Sequence, residues 1–502
     1  MKSVIEQMNL FFEPRSVAVV GASRKIMKAG HVIFKNFADS KRRGIFRGEL
    51  YPVNPNEKLI LGFRCYPSIK EISGEVELTV IVVPAEIVPK IMRDAAIKDV
   101  KAAVIISGGF GEIGNHKLEE QVTAMAREAG IRVLGPNCLG VYDSETGVDM
   151  LFLPETKVLT TGDEVVATPR PMSGSIAIVT QSGAFGVSAL DYLAGKQLGV
   201  SKFVSFGNKC DVDESEMLRY LLHDNRTRVI LLYVESIDAG REFMDVAKEV
   251  TKQKPIVAMK LGKTKAGARA ALSHTGAIAG SDRIYDSAFT QSGVIRVRDM
   301  EEFFDVGKAL AFQPPAAGNN IAVITDAGGP GIMTVDECVS KGVNVNRFSD
   351  ETVQKFEELK KKGKIPAFAT NLNPLDLTGS VTSEMFEAGT RIVLDDPEIY
   401  GVIVLGLHHV PGLQEDFVDM IARLAESYTK PVVACAIGET EMALYIRSRF
   451  DKLGIPAYFS PEDAARSMAA LVKYGEQLRK RVCFEEYLER FQKITTSQNI
   501  VT

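Results

Sequence analysis

The sequence predicts an α/β protein made of three successive doubly wound domains, Rossmann-like or flavodoxin-like in kind. Three observations carry that expectation. The chain has 502 residues, too many for one core and suited to about three domains. A short β-branched run that ends in a glycine turn and leads into a helical stretch occurs three times, at residues 16–21, 175–183 and 321–331. Between these restarts, apolar runs of strand length end in Gly, Pro, Ser or Asn, as in parallel sheets whose carboxyl edges carry a ligand.

The first domain, residues 1–150, opens with Ser16-Val17-Ala18-Val19-Val20-Gly21, then Ala22-Ser23 and a helix from about Gly30. A helix that starts after such a turn aims unpaired N–H groups at an anion. Further runs end at Val53-Asn54-Pro55, Val83-Pro84, Ser107-Gly108 and Asn137-Cys138. Residues 151–173 show neither helical nor strand period and read as a linker or lid. The second domain, residues 151–313, restarts at Ser175 and reaches Gln181-Ser182-Gly183-Ala184, a second anion seat. Val229-Ile230-Leu231-Leu232-Tyr233-Val234 is a buried strand that delivers Glu235 at its end, where a carboxylate is placed for chemistry more than for packing. After the linker 313–318, the third domain, residues 318–475, restarts at Ile321 and reaches Asp326-Ala327-Gly328-Gly329-Pro330-Gly331. Residues 476–502 read as an amphipathic terminal helix and a frayed tail.

Between the second and third restarts lies Ala270-Ala271-Leu272-Ser273-His274-Thr275-Gly276-Ala277-Ile278-Ala279-Gly280, a run of small residues around one histidine. Lys260, Lys263, Lys265 and Arg269 precede it. An imidazole amid positive charge is suited to an anion, phosphate above all, and its nitrogen can accept a phosphoryl group and pass it on. A hydrogen-bonded loop histidine would be the plainer reading, were the glycine turns absent. His116 and His223 read as solvated on helix surfaces. His408 and His409 close a strand, where neighbours point to opposite faces and cannot share one metal; no metal motif stands out.

Composition narrows the function class. Hydrophobic content of 45% and charged content of 25% are those of a soluble globular protein. A net charge of −4 gives no general attraction to nucleic acid or to an anionic membrane, and no apolar run is long enough to span one. Six scattered cysteines, without zinc or dithiol spacing, lead us to expect a reduced, cytoplasmic chain. A nicotinamide dehydrogenase is disfavoured: the full three-glycine fingerprint is missing, and Val53-Asn54-Pro55 stands where an acidic ribose ligand would be needed.

Five motifs in one order, Gly135-Pro136-Asn137-Cys138-Leu139-Gly140, Thr180-Gln181-Ser182-Gly183-Ala184, Ser273-His274-Thr275-Gly276, Ala327-Gly328-Gly329-Pro330-Gly331 and Asn373-Pro374-Leu375-Asp376-Leu377-Thr378-Gly379, give the chain a specific likeness. It resembles the α subunit of the ADP-forming acetyl-CoA synthetases, the NDP-forming acetate–CoA ligases of the succinyl-CoA synthetase superfamily. The resemblance implies that the first domain binds CoA through Gly21, Ala22, Ser23, Val53, Asn54, Pro55, Val83, Pro84, Ser107, Gly108, Asn137 and Cys138. It implies that acyl-CoA and phosphate give an acyl phosphate, whose phosphoryl group moves to His274 and then to ADP. Gln181, Ser182, Gly183, Ala184, Gly328 and Gly329 would hold phosphate at two helix N-termini, and Glu235 would orient the histidine ring. ADP or ATP and Mg2+ would be held by a separate ATP-grasp β subunit, in an α2β2 assembly. Asp326 departs from the family pattern, which often has a neutral residue there, and residues 151–173 are long for it. A CoA-binding regulatory protein of the same fold, without turnover, is the alternative.

Overall fold

Each predicted restart is the first strand of a parallel sheet, and all three sheets share one strand order. The structure, a computed structural model, describes residues 3–267, 269 and 281–499. In the first sheet Glu49–Val53, Ser16–Val20, Leu78–Ile81, Ala102–Ile105 and Arg132–Leu134 lie side by side. Numbered along the chain this is the order 2-1-3-4-5, so the connections reverse direction beside the first strand and leave a crevice at its carboxyl end. The second sheet repeats the order with Val200–Ser205, Ser173–Thr180, Val229–Val234, Ile256–Lys260 and Ile295–Arg296. So does the third, with Leu375–Asp376, Ala322–Thr325, Val402–Leu405, Val432–Cys435 and Ala457–Tyr458. The turns at Gly21, Gln181 and Asp326 therefore occupy equivalent positions, each just past the first strand of its sheet.

The chain forms two compact units, residues 1–296 and 297–502. The first two sheets share a unit because the chain laces them together. Gly140–Asp143 and Val148–Asp149, expected in the first domain, extend the second sheet antiparallel, with Tyr142 opposite Phe203. Phe12, from the N-terminal helix Val4–Phe12, stacks on Tyr220 of the helix Glu214–His223 with ring centroids 5.1 Å apart. The expected boundary at 313–318 lies inside the second unit. The helix Met300–Phe312 packs there: Lys308 Nζ donates to the Ala457 carbonyl (2.6 Å) and the Tyr458 hydroxyl to the Asp305 carbonyl (2.7 Å). The helix Pro461–Lys480 likewise runs through residue 475, and the terminal helix is Phe484–Asn499. Helical period locates a helix but does not say which sheet it covers. The aperiodic stretch after residue 150 holds a small hairpin, Thr156–Val158 against Glu164–Val166, whose strands are too short to show a period. No described helix is long and apolar enough to cross a membrane.

Where Gly140–Asp143 joins Val200–Ser205, the second sheet carries a buried charge cluster. Asp143 is fully enclosed, with Lys202 Nζ and Arg226 Nη2 each 2.5 Å from its Oδ2. Burial alone would raise the Asp143 pKa, but Arg226 and Lys202 outweigh it and hold the group below the usual aspartate range. Removing one partner of such a cluster leaves an uncompensated buried charge, so Asp143→Ala is expected to cost about 3–5 kcal/mol in chemical denaturation. A carboxylate depressed in the folded state stabilises above its unfolded pKa, about 3.9, and loses that contribution as the pH falls through its folded value. The acid limb of unfolding below about pH 4 should therefore flatten in the variant; a denaturation midpoint equal to wild type at neutral pH would remove the cluster from the stability of this unit.

Candidate functional site

The carboxyl edge of the first sheet is held together by main-chain and short polar contacts. Gly21 follows the first strand at φ +92°, and a Cβ there would lie 2.2 Å from the Val82 carbonyl oxygen, so only glycine fits the turn. Its N–H donates to Val53 O (3.0 Å), Asn54 Nδ2 donates to Ala22 O (2.8 Å), and the His31 ring meets Ser23 O through Nδ1 (2.8 Å). Ser107 Oγ donates to Val83 O (2.5 Å) and Asn137 N–H to Ser107 O (3.0 Å). Pro55 and Pro84 continue two of these strand ends, and Gly108 lies close enough to Asn137 that an added Cβ would sit 3.3 Å from Asn137 Oδ1. The twelve residues expected to hold CoA thus fall along one sheet edge. The Cys138 side chain is the exception in direction: its thiol points inward toward the Ile105 carbonyl (3.3 Å), and burial pushes its pKa up to about 12. It offers this edge no nucleophile at neutral pH.

That edge runs, through Asn137, into a cavity of about 530 Å³ that also receives the second sheet's turn. Gln181, Ser182, Gly183, Ala184, Glu235, Asn137 and Cys138 all line it, which brings the sequence-expected catalytic carboxylate and the first phosphate seat to one place. The seat is built by capping. Ser182 is the N-cap of the helix Gly183–Gly195 and its Oγ accepts from Phe185 N–H (3.3 Å). The helix end contributes a partial positive charge and unpaired N–H donors. Gln181 Oε1 accepts from the N–H groups of Glu235 (2.9 Å) and Ser236 (3.1 Å), so the amide fastens the end of Val229–Val234 to the turn. Glu235 itself is only 6% exposed. Lys260, at the end of the next strand, is buried over the Tyr285 ring (4.6 Å) and donates to Leu261 O; burial lowers its pKa, with Glu235 among the charges that oppose the shift.

Sequence reasoning missed several lining groups. Asn208 Nδ2 bridges Glu112 Oε2 and Glu119 Oε2, each at 2.7 Å. Burial would raise the Glu112 pKa, yet the Gly109 N–H and Asn208 hold it low. Lys209, at φ +58°, turns its ammonium to Glu214 (3.1 Å), Ser236 O (2.9 Å) and Asp238 (3.5 Å). Gly207-Asn208-Lys209 directly follows Phe206 at the end of the strand Val200–Ser205, so strand-end position was the signal available. His116, expected on a solvated surface, is exposed but also lines the cavity.

In the second unit the turn after Ala322–Thr325 copies the first construction. Thr180 Oγ1 donates to Ser182 O (2.9 Å) and Thr325 Oγ1 to Ala327 O (3.0 Å). Where Gln181 clamps Glu235 and Ser236, both Asp326 oxygens accept from Leu407 N–H at 3.1 Å. The helix Gly328–Ser340 begins there, containing Gly328 and Gly329, and an added Cβ on Gly328 would sit 3.0 Å from Asp376 Oδ2. Burial raises the Asp326 pKa to about 6, with the Asp376 charge adding to the shift and the Leu407 N–H opposing it. The expectation for His408 and His409 needs correction. Their strand ends at Leu405, so alternation no longer applies, and their rings lie together with centroids 4.0 Å apart. His408 Nε2 faces Thr440 Oγ1 (3.3 Å), and no third ligand-type side chain joins the pair among the described residues. His274 lies outside the described residues.

Known proteins are similar to the chain along nearly its whole length. Family models match in succession: a CoA binding domain over residues 15–144, a succinyl-CoA ligase like flavodoxin domain over 173–310, and a ligase-CoA domain over 321–476. An ADP-forming acetate–CoA ligase I of Archaeoglobus fulgidus is 39% identical over 475 residues, covering 93% of this chain and 64% of the relative. The chain thus spans less than two thirds of that protein's length. The α subunit of an ADP-forming acetate–CoA ligase I from Pyrococcus furiosus is 37% identical over 478 residues, with 93% of this chain and 98% of that subunit covered. Among solved structures, a dinucleotide-forming acetyl-coenzyme A synthetase 1 from Candidatus Korarchaeum cryptofilum, in complex with phosphate and ADP, superposes with a TM-score of 0.84. It is 33% identical, over 97% of this chain and 98% of that one.

Proposed function

Because this chain belongs to the family of the ADP-forming acetate–CoA ligases, we propose that it is the acyl-transferring α part of an NDP-forming acid–CoA ligase. In the direction of ATP formation, phosphate attacks the thioester carbonyl of an acyl-CoA, CoA leaves as the thiol, and an acyl phosphate forms. A nitrogen of His274 then takes the phosphoryl group and releases the free acid; phosphohistidine finally passes that group to ADP. Each step breaks one bond and makes one, and no redox partner is needed. CoA would lie along the edge from Gly21 to Asn137, and the N-terminus of Gly183–Gly195 would hold the transferred phosphoryl oxygens.

The observation that carries this reading is the single cavity in which the Ser182–Gly183 helix end and buried Glu235 meet the end of the CoA-type sheet edge. Preorganised N–H donors and a helix end are what phosphoryl transfer requires of a protein, since positioning and electrostatics do most of the work. ADP and Mg2+ would be held by a separate ATP-grasp subunit in an α2β2 enzyme, in keeping with the Pyrococcus relative that is itself a subunit. The chain alone is expected to bind CoA in calorimetry but to make no ATP from acyl-CoA, phosphate and ADP until the ATP-grasp partner is added. Absence of CoA binding would remove the first half of the proposal, and ATP formation by the pure chain the second.

A further inference from the structure

Glu235 is presented by a segment whose main chain is gripped from three sides. Gln181 Oε1 accepts from the N–H groups of Glu235 (2.9 Å) and Ser236 (3.1 Å), the Tyr285 hydroxyl oxygen accepts from Ile237 N–H (3.2 Å), and Lys209 Nζ donates to the Ser236 carbonyl (2.9 Å). The first grip comes from the turn after Ser173–Thr180 and the second from the helix Asp282–Ser292. The third has a different origin. Lys209 lies in a loop, Gly207-Asn208-Lys209-Cys210, that is strapped to the end of the first sheet: Asn208 N–H donates to Pro136 O and Cys210 N–H to Gly135 O, each at 3.0 Å. Gly207, at φ +55°, presses so close that a Cβ there would lie 2.2 Å from the Asn137 carbonyl oxygen.

The lysine is held firmly for this contact. Its backbone sits at φ +58°, a left-handed conformation that persists in a residue with a side chain only where the surroundings over-determine it, most often at functional sites. The Lys209 and Glu214 side chains are 2% and 1% exposed, and their charged groups lie 3.1 Å apart. Asp213 caps the helix Glu214–His223 by accepting from Ser215 and Glu216 N–H, which fixes Glu214 in the first turn, where a carboxylate also gains from the helix end. An ion pair with a structural duty alone needs only Glu214. Here the ammonium also reaches the carbonyl of the residue that follows Glu235, on the cavity wall.

We propose that Lys209 is a positioning residue for Glu235: it ties the main chain that carries the carboxylate to the edge of the first sheet, so that Glu235 meets the Ser182–Gly183 helix end at a fixed place. This rests on the cavity being the phosphoryl-transfer site of the proposed ligase. Gln181 fixes N–H groups at one end of the segment and Lys209 a carbonyl at the other, so removing the lysine leaves the carboxylate free to tilt about the Gln181 contact. Phosphoryl transfer depends on positioning, and a misplacement of about 1 Å costs about 10²-fold in rate. Lys209 thus acts through Glu235 and touches no reacting atom.

The test measures single-turnover labelling of the full chain from acetyl-CoA and radiolabelled phosphate, and CoA affinity by calorimetry, in wild type, Lys209→Met, Glu235→Gln and the double variant. Lys209→Met should slow the acid-labile labelling by about 10²-fold, with CoA affinity within about twofold of wild type. In the Glu235→Gln background the same substitution should change the rate by no more than about twofold, because residues that act as one unit are not additive. A merely structural lysine would give the same loss in both backgrounds. That result, or labelling at the wild-type rate by folded Lys209→Met, overturns the role of Lys209. Burial already raises the Glu214 pKa against the pull of Lys209, so the carboxyl left behind takes up a proton. Should Lys209→Met still fail to fold, Lys209→Gln combined with Glu214→Gln, which buries no lone charge, decides by the same cycle. A wild-type chain that takes up no acid-labile label overturns the ligase reading, and this proposal with it.

Discussion

The His274→Ala chain is expected to take up no acid-labile phosphate and, with its partner, to form ATP only at background. The loss should be about 10³-fold or more, the scale seen when a covalent catalyst is removed. The reasoning is chemical. Acyl-CoA and nucleotide would be held by different chains, so one acyl phosphate cannot be assembled at the first and attacked by ADP at the second without a carrier. An imidazole nitrogen is a competent phosphoryl acceptor at neutral pH. Phosphohistidine is labile to acid and stable to alkali, so wild type incubated with acyl-CoA and radiolabelled phosphate should show a label lost on acid treatment. CoA binding should survive the substitution, since His274 is not among the twelve residues expected to hold CoA. A fully active His274→Ala enzyme, or a label that survives acid, would place the carrier elsewhere.

Glu235→Gln should slow phosphoryl transfer by about 10²–10⁴-fold, the range for loss of an orienting or acid–base group. The substitution keeps size and can keep a hydrogen bond, so what it removes is the negative charge that supports an imidazolium during transfer. The main chain at Glu235 is fixed independently of its side chain, because Gln181 Oε1 holds the N–H groups of both Glu235 and Ser236. CoA affinity should therefore stay within about twofold of wild type while the rate of histidine phosphorylation in single turnover falls. A phosphorylation rate within that same margin would take Glu235 out of the chemistry.

The clamp also explains why part of the site was legible and part was not. Ser182 before Gly183, and the apolar strand that ends at Val234 with Glu235 next, are local patterns: a capping residue before a helix, a carboxylate after a buried strand. Such patterns depend on a few neighbouring residues and can be read directly. Asn208 between Glu112 and Glu119 is a different matter. Its partners are 96 and 89 residues away along the chain, and nothing in Gly207-Asn208-Lys209 says which strand end will face it. His408 and His409 failed for a related reason, because a strand ending at Leu405, before either histidine, changes alternation into a turn.

From the sequence alone came the three restarts, the turns at Gly21, Gln181 and Asp326, the placement of Glu235, and the order of motifs that identifies the family. All of these are set by short-range preferences: strand period, glycine where a Cβ cannot fit, and polar caps at helix starts. Tertiary structure decided the rest. The 2-1-3-4-5 order puts the third strand of the second sheet beside the first, and so brings Gln181 to Glu235 across 54 positions. The antiparallel addition of Gly140–Asp143 joins the second sheet to the end of the first, which lets Asn137, Phe152 and Ser182 line one cavity. Packing also assigned Met300–Phe312 to the second unit, through contacts with residues about 150 positions later. Long-range pairing is chosen by which apolar faces bury each other best across the whole chain, and no window of sequence contains both faces at once.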